Sequence, residues 1–353
     1  MGFKTPSYGE ILDTYIAYGF VESLLRAGIE ELILIPQGEE YTIEVNASKD
    51  TLLTGIADAL REMLSLHYAL GRYSPKEGGK VVSDADFSAG ANINNVYWNG
   101  VPSKLKEILD KIESRKRLST RQNITAPLTL IPTAGKFLPK TYGVKGGNPI
   151  KMRELDYALA WIGFHYYAPY INISDSDSTY IHIYLPKPLE PVELIEVLSL
   201  KDLKAQKSHY HLASNKPLTN SRVALLYHLT HTETLGALET ITKKQFTLIT
   251  YTLERVGNNQ AARSFGELDI AKLMDFLWNF KSANPYYALR FVDALKDDLE
   301  LTLEFVDGIL NEDADAVYLA IRGLQRKNPK VVRPELMEAI ARWLDKDQAF
   351  SHF

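Results

Sequence analysis

The chain is predicted to be α+β, with a mixed α/β N-terminal domain over residues 1–215 and an all-helical C-terminal bundle over 216–353. Three observations carry that reading. Apolar residues near the start recur at helical spacing, short alternating segments follow, and beyond Ser221 every periodic stretch has helical spacing with no convincing strand. At 353 residues the chain exceeds one ordinary domain of about 100–200 residues. The boundary is placed between Ser199 and Asn220, where Lys, Ser, His and Asn cluster and Pro217 interrupts.

Taken in order, Ser7 and Glu10 have capping-box spacing ahead of Ile11, Leu12, Tyr15, Ile16, Phe20, Val21, Leu24 and Leu25, which predicts an opening helix that Gly28 ends. Segments 31–35 and 41–45, separated by Pro36-Gln37-Gly38, predict a hairpin. Helical spacing returns over 50–73 until Pro75 and Gly78-Gly79 break it. Residues 83–100 are rich in Asn, Ser and Gly and predict turns that display side chains. Pro102 opens a basic helix to about 118, 127–132 reads as a strand, and 133–149 is a Lys- and Gly-rich loop. A helix through Met152, Leu155, Leu159 and Ile162 follows, then an alternating strand over 179–185. In the back part helices are expected at 232–255, 267–280, 285–296, 313–327 and 334–344, with punctuation such as Gly257-Asn258-Asn259 between them.

Composition narrows the function classes. Apolar residues make up 45% and charged residues 24% of the chain, ordinary values that leave little room for long disordered tails. There is no cysteine, so disulfides, thiolate metal sites and cysteine nucleophiles are excluded and a cytoplasmic home is expected. The lack of cysteine also fits a thermophile. The most apolar stretch, 157–171, is shorter than the roughly 18 residues a membrane span needs and is broken by His165 and Pro169, so it reads as core. The first ten residues lack signal-peptide patterning, and no membrane association is expected.

The net charge of −4 hides segregation. Between Lys104 and Arg153 stand twelve basic residues (Lys104, Lys106, Lys111, Arg115, Lys116, Arg117, Arg121, Lys136, Lys140, Lys145, Lys151, Arg153) against three acidic ones. Segment 297–315 has eight acidic residues and no basic one, whereas 322–333 has five basic residues and no acidic one. A basic surface binds phosphate backbones through counterion release whatever the total charge of the molecule. The competing reading of Arg115-Lys116-Arg117 is a solvated helix end that complements the helix dipole. Asn92, Asn94, Asn95, Tyr97, Trp98 and Asn99 add amides that hydrogen-bond base edges and rings that stack, although a ring such as that of Trp98 is more often core than a stacking platform.

No P-loop, GxSxG, HExxH or His-Asp signature occurs. His209, His211, His228 and His231 form an HxH and an HxxH pair, residue types that bind transition metals when folded together, but no carboxylate stands at matching spacing. Asp84 with Asp86 and Asp175 with Asp177 sit among Ser and Thr, where turn chemistry competes with a metal. Gly143, Gly146 and Gly147 with Lys145 have the composition of a phosphate-cradling loop without its strand–loop–helix frame. No catalytic residue, cofactor or metal site is assigned.

Taken together, SYGEILDTYIAYGF (7–20), NNVYWNG (94–100), TLIPTAGKFLPKTYGVKGGNP (129–149), YALAWIGFHYYAPYI (157–171) and TYTLERVGNNQAARSF (250–265) give a chain that resembles the CRISPR large subunit of archaeal type I-A. The resemblance implies a non-catalytic subunit of the RNA-guided Cascade complex in antiviral defence. Partners would be the backbone, guide-end and small subunits, the helicase–nuclease, guide RNA and double-stranded target DNA. In such complexes guide pairing reads the target while protein reads a short flanking duplex motif. On that basis Lys104, Lys106, Lys136, Lys140, Lys145, Lys151 and Arg153 are expected at phosphates, Asn94, Asn95 and Asn99 at base edges, and the acidic segment 297–315 at a protein partner. A metal-dependent nuclease or phosphohydrolase, and a purely structural adaptor, are the alternative readings.

Overall fold

A computed structural model describes residues 2–69, 73–74, 80–81, 101–127, 129–132, 150–174, 179–203, 209–211, 220–231, 246–256, 259–295 and 298–350. In chain order the elements are β1 (Gly2–Lys4), α1 (Glu10–Arg26), β2 (Ile33–Gln37), β3 (Glu40–Glu44), α2 (Lys49–Ala69), β4 (Tyr73–Ser74), β5 (Lys80–Val81), α3 (Val101–Glu113), β6 (Ile124–Thr125), β7 (Lys151–Met152), α4 (Glu154–Tyr167), β8 (Tyr170–Ser174), β9 (Thr179–Pro188), β10 (Val192–Glu193), α5 (Leu194–Leu200), β11 (His209–His211), α6 (Ser221–His231), β12 (Phe246–Val256), β13 (Asn259–Asp269), α7 (Ala271–Ala283), α8 (Pro285–Leu295), α9 (Leu299–Leu310), α10 (Ala314–Lys327) and α11 (Pro334–Phe350). The class is α+β, as expected.

The centre of the molecule is helix on helix. Nearly every residue of α1 and α4 is buried, so neither has a polar face and each must be covered all round. Glycine makes the approach possible: a Cβ on Gly19 would lie 2.0 Å from the Leu159 carbonyl oxygen, and one on Gly163 would lie 1.9 Å from that of Tyr15. Gly55 of α2 meets the Ser23 carbonyl of α1 in the same way. Buried charge is compensated locally. Glu22 accepts from Arg26 Nε at 2.8 Å and from the Tyr167 hydroxyl at 3.0 Å, and it also pairs with Lys201.

Two sheets flank this pair. The smaller has the order β1-β3-β2-β10 with antiparallel pairing throughout, and the β2–β3 hairpin is the one expected. The larger has the order β11-β8-β9-β12-β13, in which β11 and β8 run parallel and the other neighbours antiparallel. Within it, residues 181–186 of β9 and 246–253 of β12 are buried on both faces. On one face the Tyr251 hydroxyl meets that of Tyr15 from α1 at 2.6 Å and donates to the Thr129 carbonyl at 2.6 Å. On the other, Tyr184 stacks on His228 and donates to the Ser221 carbonyl at 2.8 Å, holding α6 in place. Behind α6, helices α7 to α11 pack around Phe276, Phe280, Phe291, Phe305 and Trp343.

Four local expectations are corrected. Residues 246–256 are strand β12 rather than the end of a helix over 232–255, and 259–269 form β13, so the helix expected from 267 starts at Ala271. Strand β12 lies beside β9, joining chain from either side of the expected boundary in one sheet. The strand expected over 127–132 is not formed by its described residues: 129–130 are a turn, and the Leu130 and Ile131 N–H groups both donate to the Pro127 carbonyl, at 3.0 and 3.2 Å. Finally, the capping box is not made. Ser7 Oγ bonds Glu40 and Glu10 pairs with Lys187, while Asp13 accepts the N–H groups of Ser7 at 3.0 Å and Gly9 at 2.8 Å. The helices expected at 285–296, 313–327 and 334–344 are present as α8, α10 and α11.

Candidate nucleic-acid interface

Helix α3 buries Val101, Pro102, Leu105, Ile108 and Leu109 and turns its lysines outward, where they meet carboxylates. Lys104 lies 2.8 Å from Glu107 and 3.7 Å from Glu154, and Lys106 lies 3.0 Å from Asp110. Lys111 reaches Glu107 at 3.0 Å and Glu154 at 2.6 Å. The charge of this helix is therefore largely answered from within.

The turn after α3 is different. Lys116 N–H donates to the Lys111 carbonyl at 2.8 Å and Arg115 N–H to that of Ile112 at 3.0 Å, the paired bonds of a Schellman ending. Helix α1 ends with the same pair, Ile29 to Leu24 and Gly28 to Leu25, at 3.1 and 3.0 Å. There the left-handed position is Gly28 with φ 82; after α3 it is Arg115 with φ 53. A side chain in this well costs about 1–2 kcal/mol that glycine avoids. Arg115, Lys116, Arg117 and Arg121 are all exposed and have no ion pair among the described residues.

Glu154, almost wholly buried at the start of α4, pins this turn. Its carboxylate accepts the Ser119 N–H at 2.8 Å besides holding Lys111. Burial pushes the Glu154 carboxyl up, but the Lys111 ammonium and the Ser119 N–H outweigh it and hold the group below its ordinary value. Between the turn and the first turns of α2 lies a groove of about 770 Å³, with Leu53, Ile112 and Leu118 in its lining and cations from Lys49, Arg115, Lys116 and Arg117. Arg61, also on the groove, is tied to Glu113 at 2.7 Å and to Asp58.

Of the residues expected from sequence, Lys151 is exposed on the short ribbon β6–β7 with no ion pair among the described residues. Arg153 lines the groove but is held by Asp156, Nε at 2.6 Å and Nη2 at 3.0 Å, and Asp156 also accepts the Tyr8 hydroxyl at 2.8 Å. Lys104 and Lys106 are paired as above. Asn94, Asn95, Asn99, Lys136, Lys140 and Lys145 lie outside the described residues, as do Asp84, Asp86, Asp175 and Asp177. The acidic segment is mostly engaged inside the chain: Asp298 caps α9 and pairs with Lys327, Asp307 pairs with Arg222, Glu312 with Lys272, and Asp313 caps α10. His228 is buried with Nε2 2.8 Å from the Leu203 carbonyl. Among the described residues no group of three or more potential metal ligands occurs, and no helix is long and apolar enough to cross a membrane.

The tri-basic turn stands in the sequence as Arg115-Lys116-Arg117, where charge alone does not separate it from a solvated helix end. The signal that singles it out is a helix stop with no glycine after it, filled instead by three successive cations.

Comparison with known proteins agrees with the resemblance drawn from the residues. A family model described as "CRISPR-associated protein (Cas_Csa4)" matches residues 1–346. The chain is also 56% identical over 350 residues to "CRISPR-associated protein Cas8a2/Csa4" of Methanocaldococcus jannaschii, covering 97% of this chain and 92% of that protein. The chain belongs to the Csa4 family of CRISPR-associated proteins.

Proposed function

We propose that this chain is the non-catalytic large subunit of an RNA-guided CRISPR surveillance complex, that it helps recognise the duplex motif flanking the target, and that it holds target DNA through phosphate contacts. The observation that carries the reading is the exposed turn Arg115-Lys116-Arg117, unanswered by carboxylates and kept at the cost of a left-handed arginine. Cations without internal partners release counterions when they meet phosphate, whereas those already paired gain little. The phosphate role therefore falls first on Arg115, Lys116, Arg117, Arg121 and Lys151, and on Lys136, Lys140 and Lys145 as the sequence proposes, while Lys104, Lys106 and Arg153 have carboxylates to leave. Asn94, Asn95 and Asn99 remain the proposed readers of base edges. Guide RNA and the other Cascade subunits are the proposed partners; no cofactor is assigned.

The test uses the full chain reconstituted with guide RNA and its partner subunits. Replacing Arg115, Lys116 and Arg117 together with alanine weakens binding of duplex targets carrying different flanking motifs by a similar factor, since phosphate contacts hold position without reading sequence. Unchanged affinity would remove the turn from the DNA path. Chelator-sensitive cleavage by the isolated chain in Mn²⁺ would instead favour the nuclease reading.

A further inference from the structure

Three of the large apolar side chains that the fold leaves in solvent gather at one edge of the smaller sheet. Ile33 on β2 is 39% exposed, Leu189 just before β10 is 47% exposed, and Ile195 in the first turn of α5 is 70% exposed. Pairing brings the segments of Ile33 and Ile195 together, since Glu193 stands opposite Ile33 in register and the Leu194 N–H donates to the Leu32 carbonyl at 3.2 Å, and Leu189 precedes β10 by three residues. Glu30, Glu31, Glu190 and Glu193 surround them, all exposed and with no ion pair among the described residues. Neither 27–37 nor 188–200 contains a lysine or arginine. An apolar centre inside a rim of one sign is the composition of an interaction surface.

We infer that this edge docks a protein partner whose contacting face is apolar and rimmed by lysine or arginine. The charge argues for that occupant. Glu30, Glu31 and Glu190 have no ion pair among the described residues, and Glu193 is engaged only as the cap of α5, so the rim repels nucleic acid and attracts a basic protein face. The mode of contact follows from the backbone. The edge strand β10 is two residues long and is preceded by Pro191, which has no N–H, so strand addition has almost no ladder to extend. The partner therefore sits on side chains, with Ile195 as the central anchor. The surface shares no residue with the tri-basic turn, and the inference rests on membership of a CRISPR-associated complex, not on the DNA-binding role.

The experiment mixes the full chain with the remaining purified subunits of its complex and guide RNA, and reads incorporation by size exclusion. Two double variants are compared, L189S/I195S and E30K/E190K, each checked for an unchanged melting temperature. Incorporation falling at least tenfold in both, while the isolated variants retain the parent's affinity for duplex DNA, supports the inference. Parental incorporation of both variants overturns it. So does a homodimer of the isolated chain that L189S/I195S dissolves, because the edge would then serve a second copy. A failure of the tri-basic variant to affect DNA binding leaves this result unaffected.

Discussion

Arg115 occupies a backbone well that the same chain fills with Gly28 at the end of α1, and the two endings share their hydrogen bonds. Stability therefore favours glycine at both places, and replacing Arg115 with glycine is predicted to raise folding stability by about 1 kcal/mol while weakening duplex binding. Thermal unfolding and fluorescence anisotropy on one preparation check the pair of effects; a variant that is less stable would show that the arginine is held for the fold. A second single-residue prediction concerns Asp13, whose carboxyl is pushed up to about 6, chiefly by burial, against the pull of the N–H groups it accepts. The folded chain then binds a proton between about pH 4 and 6 that the unfolded chain has released, so this group's contribution to stability falls as pH rises through that window, by up to about 3 kcal/mol. Urea unfolding at pH 4.5 and 7 should show a stability difference between Asp13→Asn and parent that shifts in favour of the variant as pH rises. A constant difference would refute the assignment.

At the scale of elements, helix α1 is positioned by glycines on its partners and itself. A methyl group at Gly163 would overlap the Tyr15 carbonyl, so Gly163→Ala is predicted to push α4 off α1 at a cost of about 3 kcal/mol or more; parental denaturant midpoints would contradict the close contact. The elements of the front were legible where one face is buried and the other wet: the β2–β3 hairpin, α2 and α3 all follow from period. The hairpin β12–β13 was not, for a physical reason. Residues 246–253 are buried on both faces of the central sheet, so the polar alternation that identifies a strand is missing and the apolar run fits a helix as well. The available clue was composition, since Thr247, Ile249, Thr250, Tyr251 and Thr252 are β-branched or aromatic and Gly257-Asn258-Asn259 follows. The capping box failed differently: Ser7 and Glu10 have long-range partners in β3 and β9, which spacing along the chain does not reveal.

For the whole molecule, one hydrogen-bonded line joins distant parts of the chain: Tyr15 of α1, Tyr251 of β12 and the Thr129 carbonyl just before the Lys- and Gly-rich segment. Tyr15→Phe and Tyr251→Phe are each predicted to cost about 1–2 kcal/mol, and less together than the sum, because either one breaks the line; strict additivity would mean the hydroxyls act separately. The basic block was legible as a charge count, but which cations are free was not, because that depends on Glu154 and Asp156 of α4 folding back onto Lys111 and Arg153. The proposed function comes down to those free cations. The most direct measurement is the dependence of duplex affinity on salt for the reconstituted parent and the R115A/K116A/R117A variant. With about 0.9 counterion released per neutralised phosphate, the slope of log affinity against log salt should become shallower by about 2.7 in the variant. An identical slope would contradict the account, because these three side chains would then meet no phosphate.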